Sequence, residues 1–280
     1  MAVIYSPQGK VALITGAARG IGFETARQLH AKGASVAVLD LTRESAQRAC
    51  ETIGDRTLAI DADVTDSAAM RLAVNEVVER FGGLDIVVAN AGVAPPVRPM
   101  TKIGPEAFER VIEINLMGVW RTVHAALPQI VERRGHVVVI ASIYAFVNGV
   151  LASPYAMSKA GVEQLGRALR AELKIHGASA STAYFGFIDT DMVRDAFEDR
   201  VTQQLEEMYP KWLLKRLPPS AAGKAIVEGI ERRAPRIILP RWWRAWSTFR
   251  GIINPALDRA MERDDRVLAA IRMGEESPPT

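Results

Sequence analysis

The sequence contains a single cysteine, Cys50, in 280 residues. One thiol excludes an internal disulfide and suits a reducing compartment, so a cytoplasmic setting is expected. The opening MAVIYSPQGK lacks a basic segment followed by a long apolar run, and no signal peptide is read there. No uninterrupted apolar stretch approaches the roughly 20 residues that a membrane-crossing helix needs. The histidines His30, His124, His136 and His176 stand alone, with no partner at metal-ligand spacing. H-E-x-x-H, clustered cysteines and G-x-S-x-G are missing. That argues against a zinc hydrolase or an esterase with a nucleophile elbow, and no metal is expected. A net charge of only +3 is too small to imply a polyanion partner for the whole chain. No base-reading module is present either, so no nucleic acid is expected.

What is present is ordinary globular material, 49% hydrophobic, with ample side chains for a large core. Short runs rich in valine and isoleucine recur: 11–15, 35–40, 57–61, 84–90, 135–142, 180–186 and 236–240. They lack apolar/polar alternation, the mark of strands buried on both faces. Segments of helical period lie between them, such as 23–33, 67–82 and 158–177, several ending in glycine. Sustained strand–helix alternation predicts one α/β domain over 1–240, a doubly wound, Rossmann-type parallel sheet in three layers. A helical lid is expected over about 191–217, and a helical extension over 241–280.

The first strand runs into TGAARGIG, with Gly16, Gly20 and Gly22. Glycines at such a turn permit a tight bend, let backbone approach a pyrophosphate, and seat the following helix closely. Asp40 ends the second strand, where a carboxylate accepts hydrogen bonds from ribose hydroxyls and repels a 2′-phosphate. NAD is therefore expected over NADP. Arg19 and Arg43 are the counter-argument, since either could reach a phosphate.

Further along, Tyr155 and Lys159 lie four residues apart. On a helix starting near Pro154 they share one face. A phenol is a weak base near neutrality, and a nearby ammonium stabilises its ionised form. A tyrosine so tuned can exchange a proton with an alcohol or carbonyl. Ser142, at the preceding strand end, can hold the substrate oxygen beside it.

With these motifs in order, the chain resembles the short-chain dehydrogenase/reductase family over roughly 9–240. TGAARGIG, spanning Thr15, Gly16, Arg19, Gly20, Ile21 and Gly22, resembles the family's cofactor loop. Asp63-Val64 resembles the pair that contacts adenine, and Asn90-Ala91-Gly92 its N-A-G motif. Asn115, Ser142, Tyr155 and Lys159 fall where the family has its catalytic tetrad. The resemblance implies Tyr155 as general acid/base and Ser142 as ligand of the substrate oxygen. It implies that Lys159 binds the nicotinamide ribose and lowers the tyrosine pKa. Asn115 would hold a helical kink and a water joining Lys159 to solvent. In FGFIDTDM, Gly186, Ile188 and Thr190 fit the segment that engages the nicotinamide end. Phe185 stands where the family has proline: either a buried ring with no consequence, or a reshaped, more apolar pocket.

The pocket wall is expected from VAPPVRPM (93–100) and from IYAFVNGVLAS (143–153), with Phe146, Val147, Val150 and Leu151. The lid from Met192 to Leu217 offers Met192, Phe197, Leu205, Met208, Tyr209 and Trp212. Arg98 and Arg194 are the candidate anchors for an anion, and both are expected to be solvated. A lipophilic secondary alcohol or ketone suits such a lining. The expectation is an NAD-dependent alcohol dehydrogenase. The alternatives are an NADPH-dependent ketone reductase or a non-catalytic nucleotide-binding protein. Assembly as a homodimer or homotetramer is expected through the helices near 105–130 and 155–177, the dimer first because the C-terminal segment could obstruct a second interface.

PRWWRAWSTFR (240–250) lies outside this resemblance. From 211 to 250 there are ten Lys/Arg against Glu228 and Glu231, and four of the five tryptophans. On a helix, Trp242, Ala245, Trp246, Phe249 and Ile253 would share one face. Such a face suits either packing within the protein or an anionic membrane surface met through 240–253.

Overall fold

The computed structural model describes residues 4–196, 198–206 and 214–279. Its strands are β1 (Val11–Thr15), β2 (Ser35–Asp40), β3 (Thr57–Asp61), β4 (Ile86–Ala89), β5 (His136–Ile140), β6 (Ser179–Phe185) and β7 (Arg236–Leu239). They form one parallel sheet in the order β3-β2-β1-β4-β5-β6-β7. Alternate side chains feed opposite faces. Val11 and Leu13 join one core, while Ala12 and Ile14 join the other. Both faces are apolar because both are covered, so no polar alternation survives in the sequence.

The first six helices are α1 (Gly20–Ala31), α2 (Arg43–Ile53), α3 (Ser67–Phe81), α4 (Pro105–Ile112), α5 (Gly118–Glu132) and α6 (Ser153–Glu172). They are followed by α7 (Asp191–Ala196), α8 (Arg200–Glu206), α9 (Pro219–Glu231), α10 (Trp243–Met261) and α11 (Asp265–Glu276). Helices α1, α2 and α9 cover one face, burying Leu29, Ile53 and Ile226; Cys50 is buried there too. Helices α3, α5 and α6 cover the other, burying Met70, Val123 and Val162. Local sequence sets several helix ends. Asp66 caps α3 by accepting from Ala68 and Ala69 N–H, and Gly82 stops it in the left-handed region. Neighbours of β1 run outward in opposite chain directions, to β2 on one side and β4 on the other. The resulting crevice lies at the carboxyl ends of the strands.

The region after β6 differs from the expectation. Among the described residues, the segment expected as a lid has two short helices, α7 and α8, with a break between them. The side chains of Phe197, Leu205, Met208, Tyr209 and Trp212, expected there, lie outside the described residues. Helix α11 packs against α8, and its Ala270, Ile271 and Met273 meet Val97, Val150, Leu151 and Val201. The C-terminal segment thus backs the pocket wall.

The tail's expected face is also wrong in detail. The body takes Trp243, 4% exposed, together with part of Trp246. Trp242 stacks on Trp243, and Phe249 stays 57% exposed. The basic run is not one patch. Arg233 bonds the Gly135 carbonyl and Ser179 on β6, and Arg232 pairs with Glu228 within α9. Among the described residues, no helix is long and apolar enough to cross a membrane.

Candidate active site

The carboxyl ends of β1, β2 and β4 build a cradle. Gly16 turns with φ +61°, which only glycine adopts cheaply, and a Cβ there would lie 3.0 Å from Ala91 Cα. A Cβ on Gly22 would fall 2.3 Å from the Gly16 carbonyl. Asn90 ties the loop down, donating Nδ2–H to the Thr15 and Gly16 carbonyls at 2.9 and 3.0 Å. Thr15 Oγ1 accepts from Asn90 and Ala91 N–H at 3.0 Å each. Ile21 packs at the margin of the core behind α1.

Asp40 sits where β2 ends, its carboxylate accepting from Ala18 and Leu41 N–H at 2.9 Å each. Its neighbouring cations are engaged. Arg19 pairs with Asp191 at 3.0 Å, and Arg43 with Asp61 and Glu76 at 3.3 and 3.5 Å. Such exposed pairs are cheap to break. Asp63 turns its carboxylate to Thr65 N–H, while Val64 is buried beside Gly118.

The helix between β4 and β5 is interrupted at Glu113–Met117 by a turn of π-helix, between α4 and α5. Such a turn re-aims a side chain inside a helix. Here Asn115 is fully buried, its Oδ1 accepting from Val93 N–H at 2.7 Å and its Nδ2–H donating to the Val93 carbonyl at 2.9 Å. A Cβ on Gly92 would lie 3.0 Å from Asn115 Oδ1 and 3.8 Å from Lys159 Nζ. The three residues therefore adjoin.

Helix α6 begins at Ser153 and places Tyr155 and Lys159 on one face. Lys159 Nζ lies 5.4 Å from the Tyr155 ring centroid and donates to the Ile140 carbonyl at 3.0 Å. Burial pushes the ammonium down to about 8. For Tyr155, where the resemblance implies a lowering by Lys159, the largest influence within the protein itself runs the other way. Burial pushes its phenol up, and a hydrogen bond with Ser142 only partly opposes this. One of the ammonium's three donors is taken by a backbone carbonyl.

Ser142, Tyr155, Phe185 and Gly186 line a cavity of about 140 Å³, with Val97, Val150 and Met192 farther in. No charged residue lines it among the described residues. Phe185 is both in the core and on the wall, and its carbonyl lies 3.4 Å from Ser142 Oγ. Ile188 is buried and bridges to Leu217. The Thr190 methyl would stand 3.3 Å from a Cβ on Gly20, so the two halves of the crevice face each other.

Several wall expectations change. Phe146 turns into the core, against Tyr184 and Trp243, and Leu151 is buried under α11. Val147 lines a groove beside α10 instead of the cavity. Arg98 is mostly buried and pairs with Asp199 at 3.0 Å instead of being solvated. Arg194 is exposed and pairs with Asp189 and Asp191. Tyr144 and Asn148, inside the expected 143–153 segment though not named individually, do line the cavity. Tyr144 stands edge-on to Tyr155, ring centroids 5.7 Å apart. Its one available signal was proximity to Ser142.

A family profile described as short chain dehydrogenase matches residues 10–201. The cis-4-hydroxycyclohexanecarboxylate dehydrogenase of Sinomonas cyclohexanicum is 36% identical over 187 residues, 66% of this chain and 75% of that protein. The mitochondrial borneol dehydrogenase of Lavandula x intermedia is 36% identical over 190 residues, 67% of this chain and 73% of that protein. The crystal structure of a 3-ketoacyl-(acyl-carrier-protein) reductase from Brucella melitensis complexed with NADH superposes with a TM-score of 0.74. It is 25% identical and covers 84% of this chain and 98% of that one.

Proposed function

The chain belongs to the short chain dehydrogenase family, and from that premise we propose that it is an NAD(H)-dependent oxidoreductase of a lipophilic secondary alcohol or its ketone. The observation that carries this reading is the uncharged, mainly apolar cavity with Ser142 and Tyr155 together on its wall. A carboxylate or phosphate substrate would find no cation there among the described residues. A neutral alcohol needs only a hydroxyl partner and apolar contact. One relative named for a neutral alcohol, borneol, is in keeping with it; the hydroxycyclohexanecarboxylate dehydrogenase is named for a hydroxy acid, whose carboxylate has no matching cation on this wall among the described residues.

The cradle at Gly16 and Gly22 fits a dinucleotide, because side chains there would collide with Ala91 and with the Gly16 carbonyl and break the tight strand-to-helix turn that such a ligand needs. Thr15, Arg19, Gly20, Ile21, Asp63, Val64, Asn90, Ala91, Gly92, Gly186, Ile188 and Thr190 would complete the binding surface. A bound nicotinamide supplies the hydride acceptor or donor. Asp40 would hold the ribose hydroxyls and favour NAD. Ser142 Oγ would bind the substrate oxygen. Tyr155 Oη, protonated by its burial, would donate to a ketone oxygen or, after losing its proton, accept from an alcohol. Lys159, once a ribose hydroxyl and a phenolate stand near it, would be held charged. Asn115 would position the backbone at Val93 beside it.

The test is a panel of lipophilic secondary alcohols and ketones offered with NAD(H) and NADP(H), followed by nicotinamide absorbance. Turnover with NAD(H) on several members is expected. Preference for NADP(H) would move the reading to a ketone reductase using Arg19 or Arg43. Nucleotide binding without turnover on any member would favour a non-catalytic role. A homodimer through α4, α5 and α6 is proposed as well. Trp120 and Met157 are 41% and 54% exposed on that surface, and light scattering would reveal a monomer instead.

A further inference from the structure

Helix α10 has two faces with different fates. The inner face is fully engaged. Trp243 packs against Phe146, ring centroids 6.1 Å apart, and against the backbone at Gly186. Trp246 Nε1–H donates to Asn254 Oδ1 at 3.2 Å, and Asn254 Nδ2–H donates to the Phe146 carbonyl at 2.7 Å. Arg250 closes the row with a 2.9 Å ion pair to Glu163 on α6.

The outer face carries an apolar stripe. Trp242, Ala245, Phe249, Ile252 and Ala256 recur at steps of three and four, which puts them in line along the helix. Phe249 is 57% exposed and Ile252 77%. Trp242 stacks on Trp243 with centroids 4.0 Å apart and stays 36% exposed. Beside the stripe, on the side away from the protein body, stand Arg241, Arg244 and Arg259, all exposed. None of the ion pairs among the described residues uses these three. From 240 to 257 the sequence holds no aspartate or glutamate.

We propose that this outer face docks the protein in the plane of an anionic lipid surface. Scattered exposed hydrophobics are normal on a protein surface, but a continuous stripe with a cationic border is not. A helix with apolar residues on one side and arginines beside them lies at the headgroup boundary, its apolar side shallowly buried. The arginines also argue against a second copy of this chain as the occupant. A two-fold interface sets the same patch against itself, so arginines would oppose arginines with no carboxylate between them. Anionic headgroups remove that repulsion. Each arginine near such a surface strengthens partition by roughly fivefold, an effect that salt screens. The inner face anchors α10 next to Gly186, which lines the cavity, so docking would bring the pocket close to the bilayer. The inference does not depend on the reaction catalysed.

The experiment is co-sedimentation of the full chain with phosphatidylcholine vesicles, with and without phosphatidylglycerol, at low and at physiological salt. Binding to the anionic vesicles that weakens with salt is expected, with little binding to phosphatidylcholine alone. Phe249→Glu/Ile252→Glu should lower the partition at least tenfold, and Arg241→Gln/Arg244→Gln should lower it by roughly as much at low salt. Thermal melting by circular dichroism should be unchanged, because the substituted side chains are exposed. No sedimentation of wild type with either vesicle at low salt would overturn the proposal. So would equal binding by the Phe249→Glu/Ile252→Glu variant. Self-association of wild type that this variant abolishes would assign the stripe to a second copy instead.

Discussion

The two ends of the sheet look alike by burial and charge and differ in what they leave open. At the amino ends, Asp85 is fully buried before β4 and accepts from Lys10, Val11 N–H and Arg133. His136 opens β5 with both ring nitrogens bonded, to Ser179 and Ser181 at 2.7 and 2.8 Å. Burial pushes His136 down to about 3 and Tyr5 up to about 12. At the carboxyl ends, burial pushes Lys159 down to about 8 and Tyr155 up. Shifted titration therefore marks burial at both ends and cannot alone locate a site. What separates them is the cavity. The amino end spends its polar groups on the protein itself. The carboxyl end holds hydroxyls at a cavity wall where a ligand can reach them.

The largest test of that distinction is Tyr155→Phe. The change keeps the ring and its edge contact with Tyr144 and removes only the hydroxyl. Turnover should fall by roughly a hundredfold or more, the usual scale of general acid–base catalysis, while melting and nucleotide binding stay as they were. Near-full turnover on the best substrate of the panel would take Tyr155 out of the reaction. It would also leave the carboxyl end no more functional than the amino end.

A smaller effect is expected at Asp40, where two backbone N–H groups and a proposed ribose share one carboxylate. Asp40→Ala should weaken NAD binding by about 1.5–3 kcal/mol and relax discrimination against NADP. Isothermal titration with both nucleotides would measure it. Unchanged NAD affinity would shift the ribose contact elsewhere. Asp40 also shows what local pattern can reveal. A strand end, a glycine turn and a carboxylate occupy one short stretch, and the paired strands put them together. The strands 11–15, 35–40 and 57–61 were legible because their buried middles are apolar without alternation. The tail was not. Whether Trp242 or Trp243 enters the core depends on the phase of α10 against Gly186, more than fifty residues earlier, and helical period carries no such information. Phe146 misled similarly, since its partners Tyr184 and Trp243 come from distant segments. The amino-end network was invisible as well. His136 reads as an isolated histidine until β6 brings Ser179 and Ser181 alongside it.

His136 gives the smallest effect and the sharpest contrast. Its ordinary value is 6.5, and the folded protein holds it near 3 because burial and the nearby Arg233 disfavour the charged ring. The unfolded chain therefore binds a proton below about 6.5 that the folded chain refuses. Stability is fully present above that pH and is lost as pH falls from about 6.5 toward about 3. At pH 5 the loss should be about 2 kcal/mol. His136→Gln retains hydrogen-bonding groups for the two serines and cannot titrate. It should lower stability somewhat at neutral pH and flatten the decline between about pH 7 and pH 5 by about 2 kcal/mol. Denaturant unfolding across that range would measure it, with turnover at neutral pH as the companion reading. Unaltered acid sensitivity would mean that the folded chain protonates His136 as readily as the unfolded one. Lost turnover in a folded variant would mean that the two ends are coupled, and that the amino end does more than hold the strands.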